Sequence, residues 1–338
     1  MQPVILHETS FFGALSVERL DGALRPWRLP DDQLELYPAP GDSLVGRAME
    51  SSGVRLRLAT DAPEIGIGFR PLRGEPMGEG HSLDVTLDGE LAASVQVAPG
   101  ARSANFSGLP AAAKVVEVWL PHTSPIEVTG LAVSPGCSCE PAPDPRPRWV
   151  TYGSSLTHCR RAHSPARTWP AIVARRRGWH LTSLGFGGNC CLEPMLGITI
   201  RDLPADFISL KLGINCINNG ALSARTFKAA VIGLVQIIRE RHPDTPLALI
   251  SPIGYPPHET TPNLVGYTIG GMREDIADAY ARLAGRGDAN LYHFDGLELF
   301  SLDEIARYAE DQCHPDADGI ELMAEHFLNR VAARIPLP

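Results

Sequence analysis

Hydrophobic and polar residues alternate in short runs through residues 1–134. Val54, Leu56 and Leu58 are separated by Arg55 and Arg57, and Ile65, Ile67 and Phe69 by glycines. Leu83, Val85 and Leu87 lead into Asp88-Gly89, and Leu91, Val95 and Val97 follow. A period of two marks strands with one face in a core, and Asp-Gly between two such runs predicts a hairpin. Val116, Val118 and Leu120, then Ile126, Val128, Leu131 and Val133, continue the pattern. Many short strands with turn residues between them, and no long helical period, predict an all-β sandwich of jelly-roll type over 1–134.

The rhythm breaks at 135–148, where Pro135, Pro141, Pro143, Pro145 and Pro147 predict a stiff, extended linker with almost no core residues. From Trp149 onward strands and helices alternate. Strands are expected at 149–152, 181–184, 207–212, 247–252 and 291–294, and helices at 168–177, 226–241, 264–283 and 319–330. In the third helix Met272, Ile276, Ala279 and Leu283 fall on one face. This order predicts an α/β fold at 149–338, three layers (α/β/α) around a mostly parallel sheet. Ligands of such sheets bind beyond the carboxyl ends of the strands, and Gly153, Gly185 and Gly213 all fall at such ends.

Composition narrows the function. The 338 residues, 44% hydrophobic and 20% charged, describe a soluble globular protein long enough for two domains. A net charge of -9 argues against a nucleic-acid backbone as partner. Arg175-Arg176-Arg177 reads as the last turn of a helix, where cations suit the dipole, rather than as a binding patch. No run approaches the roughly 18 continuous apolar residues of a membrane span, so no membrane partner is expected. Met1–Ser10 lacks the basic and apolar segments of a secretory signal, and a cytoplasmic location is expected. The seven cysteines are odd in number and unevenly placed, which fits free thiols in a reducing compartment. No two Cys-x-x-Cys pairs occur, so no metal site is expected, and no organic cofactor is required. Nothing in the residue pattern fixes an oligomeric state.

Two segments carry chemistry. Gly153-Ser154-Ser155-Leu156-Thr157 follows the apolar run ending at Tyr152, which puts a hydroxyl at the rim of a sheet. Asp311-Gln312-Cys313-His314-Pro315 supplies a carboxylate and an imidazole three residues apart, before a helix. A serine hydroxyl needs a base within hydrogen-bond reach and a group that orients the base. Ser155 is the candidate nucleophile, His314 the base and Asp311 the orienting acid. An oxyanion also needs donors fixed in advance. Gly185-Phe186-Gly187-Gly188-Asn189 can offer backbone N–H groups, and Asn215 a carboxamide. Gly254 to Asn263 is too polar for a core and is a candidate substrate loop, with Tyr255 and His258 as contacts. His158 and His163 are expected on a solvated or substrate-facing loop, Asp316 or Asp318 as the cap of the final helix, and Cys190, Cys191 and Cys216 as pocket wall.

Gly-Ser-Ser-Leu-Thr, Leu-Gly-Phe-Gly-Gly-Asn, Leu-Gly-Ile-Asn and Asp-Gln-Cys-His-Pro occur in the order of the four blocks of the SGNH (GDSL-type) hydrolases, which residues 148–335 resemble. The resemblance implies a three-layer fold, Ser155, Asp311 and His314 as a triad, and an oxyanion hole from the Ser155 N–H, Gly188 and Asn215. A β-sandwich ahead of this domain resembles a two-domain subgroup that includes carbohydrate esterases and acyltransferases of small natural products. The chain departs from the family in two places: Ser154 stands where aspartate usually precedes the nucleophile, and Cys216 where aspartate usually follows the block-three asparagine.

The leading expectation is a serine esterase acting on short O-acyl groups, acetyl foremost, of a small molecule or carbohydrate. The acyl preference comes from the resemblance. An acyltransferase from a thioester to a hydroxyl uses the same residues. A non-catalytic carbohydrate-binding protein is the third reading, with Trp27, Tyr37 and Trp119 available for a sugar platform and Trp119 expected to face outward.

Overall fold

The computed structural model describes residues 1–72 and 81–337. The chain forms two compact units interleaved in sequence. The first holds Met1–Glu35, Val45–Arg146 and Cys159–Ser183, and the second Leu36–Leu44, Pro147–His158 and Leu184–Pro338.

The first unit is a sandwich of antiparallel sheets. One sheet runs in the order Ser16–Leu20, Ala23–Trp27, Val128–Val133, Ile65–Phe69, Ser103–Phe106, with Gln2–Val4 also paired to Val128–Val133. The other runs Cys139–Pro141, Arg55–Thr60, Lys114–Trp119, Ser82–Leu87, Glu90–Gln96, with Phe11–Phe12 on Arg55–Thr60. The alternating residues of both, among them Leu56, Leu58, Val85, Val116, Ile65, Ile67, Phe69 and Val133, share one core. The Asp88-Gly89 hairpin forms as the pattern predicts. Leu87 faces Glu90 across it, and both turn residues have positive φ, as a two-residue turn matched to strand twist requires.

The opposite face of the second sheet is buried as well. The segment 159–183 lies on it: Asp84 Oδ2 accepts from Ala166 N at 2.7 Å, Arg55 Nη1 donates to Leu181 O at 3.0 Å, and Arg175 Nη1 donates to Gly89 O at 3.1 Å. Arg175 closes the helix Trp169–Arg177, which Thr168 caps at one end and left-handed Gly178 ends at the other. The covered face corrects the expectation for Trp119, which is 1% exposed, donates from Nε1 to Thr86 Oγ1 at 3.2 Å and lies under the Arg55 guanidinium. Trp27 is buried against Glu18, and Tyr37 shares a 2.7 Å hydrogen bond with Thr199, so these aromatics form no exposed platform. The proline-rich stretch is not a bare spacer either. Cys139–Pro141 is a strand on Arg55–Thr60, and Asp144 is buried.

Asp144 belongs to an ion network. Glu117 Oε1 accepts from Arg55 Nε at 3.2 Å, Arg57 Nη1 at 3.1 Å and Arg146, while Asp144 pairs with Arg146 Nε at 2.6 Å and His180 Nδ1 at 2.8 Å. Burial pushes the Glu117 carboxyl up, but Arg55, Arg146 and Arg57 outweigh it and hold it at about 2.

A five-stranded sheet, four of whose strands belong to the second unit, runs in the order His180–Gly185, Arg148–Gly153, Phe207–Lys211, Leu247–Ile250, Leu291–Phe294, the first of these passing from one unit's stretch of chain to the other's at Ser183–Leu184. The last three neighbouring pairs in that order are parallel. Numbered along the chain the order is 2-1-3-4-5, so the direction of winding reverses between Arg148–Gly153 and Phe207–Lys211. Such a reversal opens a crevice at the carboxyl ends of the strands. With its helices this is the three-layer α/β/α fold. Phe227–Arg239 buries Phe227, Val231, Leu234, Val235 and Ile238, one face at helical spacing. Ile269–Gly285 buries Met272, Ile276, Ala279 and Leu283 on the expected face. It begins five residues later than its periodicity suggests. Asn263 Oδ1 accepts from Val265 N and Tyr267 N, holding a turn, and Thr268 caps the helix through Gly271 N. Among the described residues no helix is long and apolar enough to cross a membrane.

Removing one partner of a buried ion network leaves the others charged and unpaired, at about 3–5 kcal/mol. Glu117→Gln should therefore lose about that much in urea unfolding at neutral pH; a loss below about 1 kcal/mol would overturn the network's importance. Because the folded carboxyl sits at about 2 against an ordinary 4.5, its contribution is complete above 4.5 and drains as pH falls toward 2. Melting temperature over that window should drop less steeply in Glu117→Gln than in wild type.

Candidate active site

The strand Arg148–Gly153 runs directly into the short helix Ser155–His158. There is no room beneath this turn: a Cβ on Gly153 would lie 2.2 Å from Thr157 Oγ1, and one on Gly185 would lie 2.3 Å from His158 N. Glycine at both positions lets the turn sit on the sheet. The two serines then separate. Ser154 is buried, its carbonyl accepting from Thr157 N and His158 N at 3.0 Å and its Oγ from Leu156 N at 3.3 Å. Ser155 is half-buried, and its Oγ lies 2.7 Å from His314 Nε2. His158, expected on a solvated or substrate-facing loop, is fully buried, because the tight turn carries it beneath Gly185.

His314 and Asp311 are set by a second turn. Ala309 N donates to His314 O at 2.7 Å and Gln312 N to Ala309 O at 2.9 Å, with Gln312 in the left-handed region. His314 Nδ1 lies 2.9 Å from Asp311 Oδ2, while Asp311 Oδ1 accepts from Cys313 N at 3.0 Å and His314 N at 2.9 Å. Burial raises the Asp311 carboxyl, but these backbone N–H groups and the imidazole outweigh it and hold it at about 2. The carboxylate therefore fixes the proton on Nδ1 and turns the Nε2 lone pair toward the Ser155 hydroxyl. Of the two capping candidates, Asp316 takes the role, accepting from Gly319 N at 2.6 Å at the start of Ala317–His326.

The expected oxyanion donors Gly188 and Asn215 lie just beyond the ends of His180–Gly185 and Phe207–Lys211. Phe186 N donates to Gly153 O at 2.8 Å and Asn189 N to Phe186 O at 3.0 Å, closing a turn in which Gly188 has φ of 78°. A type II turn demands that φ at its third residue, so glycine is the residue that fits. Asn219 Nδ2 holds Gly188 O at 2.9 Å. Asn215 lies in the short helix Ile214–Asn218, and its Oδ1 accepts from Cys190 N at 3.0 Å. That bond identifies the amide's oxygen end and leaves the NH₂ end as a donor.

Of the proposed substrate contacts, Tyr255 is half-buried, and burial together with the charges of Cys313 and Asp311 pushes its phenol up, which marks it as a neighbour of the carboxylate. His258 is engaged by its own loop through Thr261 O at 3.1 Å, its ring 5.6 Å from that of Tyr255. Cys216 Sγ donates to Cys190 O at 3.9 Å, Asn219 Nδ2 donates to Cys191 Sγ at 3.6 Å, and Cys190 is buried beside Tyr152. Sequence reasoning passed over Tyr152 and Glu193. The Tyr152 hydroxyl donates to Glu193 Oε2 at 2.8 Å, and both Glu193 oxygens accept from Cys191 N at 3.2 Å. The available signal was Glu193 immediately ahead of Pro194, a helix start beside the glycine loop. Among the described residues no group of three or more His, Cys, Asp or Glu side chains is arranged to hold a metal ion.

Residues 147–332 match the family described as GDSL-like lipase/acylhydrolase, and residues 9–127 match the N-terminal domain of SsfX3. No curated protein matches by sequence. Among solved structures, the salicylyl-acyltransferase SsfX3 from a tetracycline biosynthetic pathway is 37% identical, with a TM-score of 0.89 over 97% of this chain and 96% of that one. A GDSL-like lipase candidate from Bacteroides ovatus ATCC 8483 is 20% identical, with a TM-score of 0.78 over 98% and 97% of the two chains. A family two carbohydrate esterase from Clostridium thermocellum, in complex with cellohexaose, is 17% identical, with a TM-score of 0.64 over 84% and 93%. The latter two likenesses establish the two-domain fold. On the match to 147–332 and the full-length similarity at 37% identity, the chain belongs to the GDSL-like lipase/acylhydrolase family.

Proposed function

We propose that this chain is a serine acyl-transfer enzyme that works through an acyl-enzyme on Ser155. The observation that carries the reading is the 2.7 Å contact of Ser155 Oγ with His314 Nε2, backed by Asp311 on Nδ1. Nε2 takes the Ser155 proton as Oγ attacks the acyl carbonyl carbon. The oxyanion gathers N–H donors from Ser155, Gly188 and Asn215. The imidazolium returns its proton to the leaving oxygen or sulfur, and the bond to the leaving group breaks. A second nucleophile gives a proton to Nε2 as it attacks the acyl carbon, and the imidazolium returns that proton to Oγ as the bond between Oγ and the acyl carbon breaks, freeing Ser155.

The first reading makes that nucleophile water, giving an esterase of short O-acyl groups, acetyl foremost, on a small molecule or carbohydrate. The second makes it a hydroxyl of a small natural product, with a thioester as donor. The specific support for the second is the 37% identity, over 97% of this chain, to a salicylyl-acyltransferase. The likeness to carbohydrate esterases is one of fold, and burial of Trp27, Tyr37 and Trp119 removes the aromatic platform that a carbohydrate-binding role would use. Tyr255, next to the acid, is proposed as a contact for the bound substrate.

Hydrolysis of p-nitrophenyl acetate, butyrate and octanoate should fall with chain length. Ser155→Ala and His314→Ala should abolish it, and Asp311→Asn should lower kcat by about 10⁴-fold. Asn215→Ala should cost on the order of 10²–10³ in kcat. No turnover by wild type and no labelling of Ser155 by a fluorophosphonate would sink the acyl-enzyme reading. Product ratios with an acyl-thioester and a small phenol or sugar then separate the two readings, ester formation exceeding acid release only for a transferase. Because Asp311 is held at about 2, no limb of the pH–kcat profile should trace to this carboxylate above about pH 3.

A further inference from the structure

We propose that Glu193 is a positioning residue for the oxyanion donors: its half-buried carboxyl ties the strand leading to Ser155 to the loop that carries Gly188. The inference rests on the acyl-enzyme reading above. Tyr152 is fully buried three residues before Ser155, and its O–H donates to Glu193 Oε2 at 2.8 Å. The same carboxyl accepts from Cys191 N with both oxygens at 3.2 Å, reaching back over Leu192, whose φ of 63° puts it in the left-handed region. The preceding amide, Cys190 N, is held by Asn215 Oδ1 at 3.0 Å. Two successive N–H groups of the loop are thus gripped, one by a proposed oxyanion donor and one by Glu193. On the other side of Gly188 the loop is fixed to the nucleophile's strand by Phe186 N and Gly153 O at 2.8 Å. Gly188 is braced from both directions against the strand that ends at the nucleophile.

The brace has the right chemistry to be permanent. Burial pushes the Tyr152 phenol well above its ordinary value, so it stays a donor, and burial likewise raises the Glu193 carboxyl. The hydroxyl and the Cys191 amide require only an acceptor, which a neutral carboxamide also provides. Oxyanion donors act through being fixed before the charge develops, and a misplacement of about 1 Å can cost on the order of 10²-fold.

The test compares Glu193→Ala, Glu193→Gln and Tyr152→Phe with wild type, using p-nitrophenyl acetate kinetics and inhibition by benzeneboronic acid, whose serine adduct mimics the oxyanion. Glu193→Ala and Tyr152→Phe should lower kcat by roughly 10- to 100-fold with KM little changed, and Ki of the boronate should rise in step with the fall in kcat/KM. Glu193→Gln should recover most of the loss. A purely structural role would lower melting temperature while leaving kcat per folded enzyme and the boronate Ki unchanged, and that result overturns the proposal. So does a Gln variant as impaired as Ala. If Glu193→Ala does not fold, the near-isosteric Tyr152→Phe carries the same readouts. A wild-type enzyme that neither turns over ester nor reacts with a fluorophosphonate fails the acyl-enzyme reading itself, a result distinct from normal labelling with unperturbed variants.

Discussion

Everything at the site depends on how closely the turn that carries Ser155 is packed onto the sheet. Gly153 and Gly185 leave no space for a methyl group, so the backbone of 154–158 rests directly against strand ends. Peptide groups buried this deeply must find partners. Ser154 meets that demand with its own carbonyl and hydroxyl, which commits it to the turn and leaves Ser155 as the residue whose hydroxyl is still available. The imidazole it meets comes from 159 residues further along the chain. That contact is reached because the sheet reverses its winding between Arg148–Gly153 and Phe207–Lys211, so loops distant in sequence converge at one crevice.

The first unit solves a different problem with charge. Its second sheet has two buried faces, and one is lined by Arg55, Glu117, Trp119 and Asp84 rather than by aliphatic residues. A buried ion network gains little over a well-packed apolar one, yet any misplaced member is left charged and unpaired. That asymmetry makes such a network a register device. Asp144, Arg146 and His180 meet the sheet's charges only if 139–146 and 159–183 lie in one arrangement. The twist-matched hairpin and the shared aliphatic core supply the affinity of sheet for sheet; the charges specify what covers the outer face.

The legible parts of the chain were those in which local chemistry and tertiary environment agree. Asp88-Gly89 needs positive φ twice and has residues that accept it. The face of Ile269–Gly285 follows from spacing, and the two chemical segments were found because Gly-Ser-Ser and Asp-x-x-His each set up their own turn. The parts that were not legible depend on distant partners. Alternation shows that one face of a strand is buried and is silent on whether the other is covered, so Trp119 was expected outside. Prolines report backbone stiffness, not that Cys139–Pro141 pairs with Arg55–Thr60. His158 is polar and close to a glycine turn, and only the depth of that turn buries it. Tyr152 and Glu193 fell in an apolar run and a helix start, and their pairing across 41 residues has no local signature.

Whether such a site hydrolyses or transfers is decided after the acyl-enzyme forms, and by something other than the triad. In the proposed mechanism His314 takes a proton from either water or an alcohol, since both present an O–H to the same Nε2. The contest is one of effective concentration. A hydroxyl held in line with the acyl carbonyl can gain an effective molarity on the order of 10⁵–10⁸ M, far above what loosely bound water offers. A transferase therefore needs an ordered acceptor and a site that excludes water, whereas an esterase needs only to leave the carbonyl wet. Tyr255 is half-buried, its ring tilted against that of His258 at 5.6 Å, in a loop whose Gly254 carbonyl accepts from the Tyr308 hydroxyl. The features that favour transfer over hydrolysis are thus to be sought in the walls around the acyl group, where this chain can differ from an esterase while keeping the same serine, histidine and aspartate.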